Sequence, residues 1–105
     1  APMSLMDPLQ GTIAREVSLS GVGIHTGQKG TVTLRRAPPN RGRVFITSAG
    51  VEVPARLEFV SRCDRSTVLE RDGARVSTPE HLLSALYAAG IDNVEMHITC
   101  EEVPI

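Results

Sequence analysis

The sequence predicts an α+β domain, a two-layer sandwich in which a mostly antiparallel or mixed sheet packs against one main helix. Two observations lead to this class. Apolar and polar residues alternate along most of residues 12–99, which is typical of half-buried strands. One segment, residues 79–89, carries helix signals at both of its ends. A two-layer domain usually needs two helices to cover a sheet, so we expect the chain to be part of a larger, two-domain protein.

Strand patterns dominate the first half of the chain. We expect residues 1–11 to form a flexible lead, because they contain two prolines and no periodicity. A first strand is predicted from residue 12 to residue 19, and residues 21–27, with three glycines, read as a loop. Further strands are predicted at residues 31–35 and 43–47, separated by a turn that contains two prolines.

Between residues 51 and 77 the pattern predicts an interrupted strand and a hairpin. Residues 51–59 favour one or two strands, with Pro54 at an edge or a bulge. The dipeptide Asp72-Gly73 lies between two apolar runs, which is a strong hairpin signal.

The helix prediction rests on its boundaries and its apolar stripe. Thr78 is expected to be the N-cap, with Pro79 at the first helical position. Gly90 is placed where a glycine commonly ends a helix. The stripe consists of four residues, Leu82, Leu83, Leu86 and Ala89. With a last strand at residues 94–98, the sequence predicts five to seven strands and one helix.

This single helix is too short to cover the whole sheet. At 1.5 Å per residue it would be about 16 Å long. We therefore expect part of the apolar face to be bare, and to be masked by a missing half of the protein, a second copy or strand exchange. The residues assigned to that face are Ile13, Val17, Leu19, Val32, Leu34, Val94, Met96 and Ile98.

Composition excludes several classes of function. The 105 residues carry a formal net charge of −1 and three aromatic side chains, which argues against a nucleic-acid-binding or anionic-membrane-binding domain. No apolar run is long enough to span a membrane. Cys63 and Cys100 are too few for a disulfide framework and are expected to be buried or incidental thiols. With no export signal in the lead, they favour a cytoplasmic location.

The adjacent pair Glu80-His81 is the strongest candidate for chemistry. Both residues are expected in the first helical turn, with side chains about 100° apart around the helix axis. His81 could then bind a metal while Glu80 reaches a water molecule beside it, as in a metal hydrolase. The pattern alone favours a plainer interpretation, in which Glu80 interacts with the helix dipole and His81 is a surface residue.

For several other polar residues, the sequence allows more than one role. His25 lies in the glycine-rich loop, which could approach a ligand closely and more often forms a tight turn. His97 is expected on the polar face of the last strand. Four arginines within nine residues could contact a phosphate or form the solvated end of a hairpin: Arg35, Arg36, Arg41 and Arg43.

Several segments together resemble one enzyme family. They are residues 21–27, 31–35, 53–55, 77–86, 90–93 and 102–105, and the most specific is STPEHLLSAL followed by GIDN. In this order and spacing they resemble the N-terminal domain of UDP-3-O-acyl-N-acetylglucosamine deacetylase, the zinc enzyme of the committed step in lipid A synthesis. The resemblance covers residues 12–105.

The resemblance implies a fold, a cofactor and two site residues. It implies that the chain is half of a two-domain enzyme, with the site between the domains. Glu80 would be the general base and His81 one ligand of Zn²⁺, while the other two ligands would come from a second, C-terminal domain outside this chain. The substrate would be UDP-3-O-acyl-N-acetylglucosamine, and the chain alone would be inactive.

A second hypothesis keeps the fold without the activity. In it the chain is a stand-alone, non-catalytic domain that serves as a binding or scaffolding module. The unbroken Glu80-His81 and GIDN segments favour the deacetylase, whereas the single candidate ligand in the chain is insufficient for catalytic zinc, which typically has about three protein ligands.

Overall fold

The computed structural model describes residues 11–23, 26–63 and 66–104 of the chain. Eight strands and one α-helix run through these residues in the following order: β1 Val17–Val22, β2 Lys29–Arg36, β3 Arg43–Ile46, β4 Glu52–Pro54, β5 Val60–Cys63, β6 Ser66–Arg71, β7 Ala74–Ser77, α1 Glu80–Ala88 and β8 Val94–Ile98. A short 3₁₀ helix, Leu57–Phe59, precedes β5.

The described strands form two sheets, and the predicted α+β class is confirmed. The larger sheet has the order β1-β2-β8-β3-β4, and β3 and β8 are its one parallel pair. Strands β5, β6 and β7 make a smaller antiparallel sheet. The larger sheet is therefore mixed, as parallel pairing of β3 with β8 requires a long crossover, which here includes the smaller sheet and α1.

The register places the predicted apolar residues on one face of the larger sheet, called here the inner face. Val32 is paired with Leu19 on one side and with Ile98 on the other, while Leu34 is paired with Met96. Helix α1 and the smaller sheet complete the core against this face. The buried residues of this core are Val32, Leu34, Phe45, Val53, Leu69, Val76, Leu86, Val94, Met96, Ile98 and Val103.

The hairpin between β6 and β7 forms as the sequence predicts. Arg71 pairs with Ala74, so that Asp72 and Gly73 are the two loop residues. Their φ angles are +50° and +82°. Positive φ at both loop positions is the type I′ geometry that matches the twist of the strands, and it is the reason that Asp-Gly is favoured there.

Three strand predictions are corrected by the structure. Strand β1 begins at Val17 and not at residue 12, and it continues through Val22 into the expected glycine loop. Residues Leu57–Phe59 form the 3₁₀ helix and not a strand, since the chain turns there from one sheet to the other. Strand β5 was not predicted, because apolar and polar residues alternate little within it. The described residues therefore contain eight strands, where five to seven were expected.

The C-terminal end of α1 is the glycine-terminated end that the sequence predicts. Gly90 has a φ of +74°. Its N–H donates to the carbonyl of Tyr87 at 3.0 Å, and the N–H of Ile91 donates to the carbonyl of Leu86 at 2.9 Å. These two bonds are the Schellman motif, which satisfies carbonyl groups that the last helical turn leaves unpaired.

The N-terminal end differs from the prediction, because Thr78 is not the N-cap. Thr78 has a φ of +49°, and its hydroxyl donates to the carbonyl of Ser77 at 2.8 Å rather than accepting from the helix. Pro79 occupies the N-cap position, and its carbonyl accepts the first helical bond from Leu83 at 3.0 Å. Local spacing indicated a threonine cap, but tertiary contacts hold Thr78 in a turn instead.

Part of the expected lead lies outside the described residues, which begin at Gly11. Gly11 is buried, and its N–H donates to Asp92 Oδ2 at 3.0 Å. Its carbonyl accepts from the N–H groups of Asp92 and Asn93 at 2.9 and 3.0 Å. The chain is thus anchored beside the start of β8 from Gly11 onward.

Candidate active site

Glu80 and His81 lie in the first turn of α1, as the sequence predicts. Glu80 is the first residue of the helix, and both side chains are exposed. No hydrogen bond or ion pair joins either side chain to another residue within the described part of the chain. Both groups are therefore available to a water molecule, a metal ion or a group outside this domain.

The helix is oriented by its apolar stripe, which faces the core. Leu86 is 4% exposed, and Leu82 and Leu83 pack against the same cluster. Ala89, the fourth residue of the predicted stripe, is exposed instead, because the helix ends at Ala88. Burial of the leucines leaves His81 at the boundary between the core and the solvent.

An open apolar cavity adjoins His81. It has a volume of about 310 Å³, and six residues line it: Leu19, Ser20, Val32, His81, Leu82 and Pro104. Val32 is 2% exposed, but Leu19 and Val17 on the edge strand β1 remain 47% and 40% exposed. The expected bare part of the inner face is therefore present in the described structure, and it lies next to His81.

The described residues do not form a complete metal site. No three His, Cys, Asp or Glu side chains among them lie close enough together to hold a metal ion. An exposed imidazole such as His81 fits the donor set of zinc, but catalytic zinc has about three protein ligands. The described part of the chain therefore offers one candidate ligand, and the other ligands would have to come from elsewhere.

Three of the four arginines have separate partners of their own. Arg35 Nε lies 3.0 Å from Glu16 Oε1, and Arg43 Nε donates to the carbonyl of Ile91 at 2.8 Å. Arg41 contacts Glu52 and Glu95 at 3.0 and 3.3 Å. Nothing among these contacts indicates a common phosphate site.

The contact between Arg41 and Glu52 affects both of their charges. The hydrogen bond that Arg41 donates to the Glu52 carboxylate raises the pKa of Arg41 above its ordinary value, and Coulombic attraction to Glu52 and Glu95 adds to this rise against the cost of burial. The hydrogen bond from Arg41 lowers the pKa of Glu52. Both groups are consequently held in their charged forms.

The other sequence candidates lie away from α1 or outside the described residues. His97 is on the polar face of β8, as predicted, where it is half-buried and 3.2 Å from Glu95 Oε1. Cys100 is a free, half-buried thiol that donates to the carbonyl of Lys29 at 3.1 Å. His25 falls outside the described residues, as does the side chain of Cys63.

Sequence reasoning missed one residue beside this site, the buried Glu102. It is 4% exposed, although it follows another glutamate in a short terminal segment. Its Oε1 accepts a hydrogen bond from the N–H of Thr26 at 2.9 Å. Its signals in the sequence are its place in the 102–105 segment of the resemblance and its position before the apolar residues Val103-Pro104, which pack against the domain.

Comparison with known proteins gives a consistent result over nearly the whole chain. The family model for UDP-3-O-acyl N-acetylglycosamine deacetylase (LpxC) matches residues 10–105. A relative from Myxococcus xanthus is 46% identical over 99 residues, which cover 91% of this chain and 32% of the relative. One from Chlamydia muridarum is 48% identical over 98 residues, covering 91% and 34%. One from Coxiella burnetii is 42% identical over 99 residues, covering 91% and 33%.

All three relatives are named UDP-3-O-acyl-N-acetylglucosamine deacetylase. The chain spans about a third of the length of each of them. Within the described residues, no helix combines the length and the apolar character needed to cross a membrane.

Proposed function

The chain belongs to the UDP-3-O-acyl N-acetylglycosamine deacetylase (LpxC) family, and on that premise we propose that residues 12–105 are the N-terminal domain of a zinc-dependent deacetylase. The proposed substrate is UDP-3-O-acyl-N-acetylglucosamine, whose acetamide is hydrolysed in lipid A biosynthesis. The observation that carries the proposal is the placement of Glu80 and His81, side by side and exposed in the first turn of α1.

In this proposal the two residues have different roles. His81 is one ligand of the zinc ion, since a neutral imidazole nitrogen is a common zinc donor. Glu80 is the general base. Adjacent helical side chains diverge by about 100°, so one can hold a metal while the other faces a water molecule next to it.

In the proposed reaction, Glu80 is the residue of this chain that takes part in proton transfer. Zinc, when bound, supplies a Lewis acid for the amide carbonyl. Glu80 accepts a proton from the water whose oxygen attacks the acetamide carbon. The carbon–nitrogen bond then breaks, the nitrogen takes up a proton, and acetate and the free amine are the products. General base catalysis by a positioned carboxylate typically contributes about 10²- to 10⁴-fold to the rate.

A C-terminal domain outside this chain would complete the site. One candidate ligand in the described residues is too few for catalytic zinc, so the proposal requires the remaining ligands from that domain. The bare apolar surface at Val17 and Leu19 supports the placement of a second domain beside His81. Contact with that domain would remove this apolar surface from water. The 105-residue chain alone is then inactive.

A cytoplasmic location is part of the same proposal. Cys100 is a free thiol, and free thiols persist most readily in a reducing compartment.

Acetate release from UDP-3-O-acyl-N-acetylglucosamine tests the proposal. The protein that carries both domains should release acetate, and the Glu80→Ala variant should be about 10²- to 10⁴-fold slower. The 105-residue chain with added zinc should release none. The control is Ser84→Ala, an exposed residue one turn further along α1, which should keep full turnover. Full turnover in Glu80→Ala would contradict the role of Glu80 as general base, and no acetate release from the two-domain protein would favour a binding or scaffolding module.

A further inference from the structure

We infer that Glu102 is a positioning residue, which fixes the start of helix α1, and with it Glu80 and His81, against the loop residues Gly23 and Thr26. This inference rests on the roles proposed above for Glu80 and His81. Glu102 acts through the backbone that leads into the helix.

The carboxylate of Glu102 is buried between the loop and the residue that precedes the helix. It is 4% exposed. On the loop side, Oε1 accepts from the N–H of Thr26 at 2.9 Å. On the helix side, Oε2 lies 3.5 Å from the Thr78 hydroxyl, whose single proton is shared with the nearer carbonyl of Ser77 at 2.8 Å. A buried carboxylate is tolerated only where polar groups surround it, so its position is strongly determined.

The segment that carries Glu102 is itself fixed to the end of β7. The N–H of Ser77 donates to the carbonyl of Glu101 at 2.8 Å, and the N–H of Val103 donates to the carbonyl of Ser77 at 3.0 Å. These two bonds form a parallel bridge between Ser77 and Glu102. The Glu102 side chain therefore projects from a backbone that is paired with the residue next to Thr78.

Thr78 has the most unusual backbone conformation next to the site. A φ of +49° is rare for a β-branched residue, and such conformations persist only where the surroundings hold them. The N–H of Thr78 donates to the carbonyl of Thr67 at 3.0 Å, and its hydroxyl lies between Ser77 and Glu102. This turn sets the direction in which Pro79 and α1 continue, so the contacts of Thr78 determine where Glu80 and His81 project.

Gly23 shows how closely the loop approaches this carboxylate. A Cβ built on Gly23 would overlap Glu102 Oε1 and lie 2.7 Å from Glu102 Cδ. The N–H of Gly27 donates to the carbonyl of Gly23 at 2.8 Å. A side chain at position 23 would therefore displace the Glu102 carboxylate.

Turnover of the two-domain protein with Glu102→Ala tests the inference. Misplacing a catalytic group by about 1 Å can cost about 100-fold, so we expect kcat to fall about 10- to 100-fold. We expect KM to change less than about twofold, because Glu102 does not touch substrate in this account. Glu101→Gln, an exposed neighbour, is the control and should keep the original kcat.

The double variant Glu80→Ala/Glu102→Ala separates positioning from a general loss of structure. If Glu102 acts by placing Glu80 and His81, its removal should slow Glu80→Ala much less than it slows the original protein. The inference would be overturned if removal of Glu102 lowered kcat by the same factor in Glu80→Ala as in the original protein. An unchanged kcat in a folded Glu102→Ala protein would also overturn it. Full activity of Glu80→Ala would instead contradict the proposed function.

Gly23→Ala provides a second test, should Glu102→Ala not fold. This substitution removes no hydrogen-bonding group and displaces the carboxylate by contact alone. We expect a similar 10- to 100-fold loss of kcat. Gly27→Ala controls for strain in the loop, because Gly27 has a φ of +70° but open space around its Cβ position. A folded Gly23→Ala protein that keeps the original kcat would overturn the inference.

Discussion

The side-chain oxygen of Asn93 accepts a hydrogen bond from the backbone N–H of Gly42 at 2.8 Å. Asn93 is 2% exposed, at the start of β8. The carbonyl of Gly42 in turn accepts from the N–H of Val94 at 3.0 Å. Asn93 thereby joins the turn before β3 to the parallel partner strand β8, which gives the last residue of the GIDN segment a structural role.

Replacing Asn93 with alanine should destabilise the chain. The substitution removes the hydrogen bond to the half-buried Gly42 N–H, and such a bond contributes about 0.5–1.5 kcal/mol. Urea unfolding of the purified chain measures this loss. Ser84→Ala, at an exposed helical position, should change the free energy of unfolding by less than about 0.5 kcal/mol. An Asn93→Ala chain as stable as the original would contradict the assigned role.

Gly90→Ala should also lower stability, through the backbone at the end of α1. A φ of +74° costs an L-residue with a Cβ about 1–2 kcal/mol. Gly90→Asn should lose less, because asparagine tolerates the left-handed region better than alanine does. Thermal unfolding of both variants provides the comparison. Equal stability of Gly90→Ala and the original chain would show that the Schellman end is not needed.

The Arg41–Glu52 contact should make stability depend on pH. The hydrogen bond from Arg41 lowers the pKa of Glu52 in the folded chain. The contact therefore stabilises the folded chain above the pKa of Glu52 in the unfolded chain, about 4.3, and this stabilisation is lost as the pH falls through the folded pKa. Glu52→Gln should therefore unfold at slightly lower urea concentration at neutral pH, and at the same concentration as the original chain once Glu52 is protonated. Glu58→Gln, whose contact with Arg56 is longer at 3.7 Å, should change less. A Glu52→Gln difference that persists unchanged in acid would contradict this.

Leu19→Ser should reveal whether a second domain covers the bare part of the inner face. Leu19 is 47% exposed in the described structure, so the substitution should cost the 105-residue chain about 1 kcal/mol or less. In the two-domain protein it should cost about 2–3 kcal/mol, because the leucine would be fully buried there. Val22→Ser, on the opposite face of β1, should cost the same in both proteins. Equal costs for Leu19→Ser in both would contradict the proposed packing.

Features that depend on neighbours in sequence could be predicted, and features that depend on tertiary contacts could not. The Asp72-Gly73 hairpin and the Gly90 helix end are local, and both predictions are confirmed. The N-cap assignment of Thr78 is wrong, because contacts with Thr67 and Glu102, which are distant in sequence, decide its conformation. Alternation predicted most strands but contains no information on the parallel pairing of β3 with β8.

The same division applies to the candidate site. The placement of Glu80 and His81 followed from the apolar stripe and the helix boundaries, which are properties of one segment. Glu102 could not be found in this way, because its burial results from the docking of the terminal segment beside Ser77 and the approach of Gly23. The partners of the arginines were likewise unpredictable, since they lie in other segments of the chain.

Zinc affinity of the two-domain protein tests the central claim most directly. We expect one tightly bound zinc ion in the original protein and in Glu80→Ala, because that substitution removes a base and not a ligand. His81→Ala should bind zinc at least about 100-fold more weakly, since one of about three protein ligands is lost. Competition with a chelator at neutral pH gives these affinities. Unchanged zinc affinity in a folded His81→Ala protein would contradict the assignment of His81 as a ligand, and with it the proposed site.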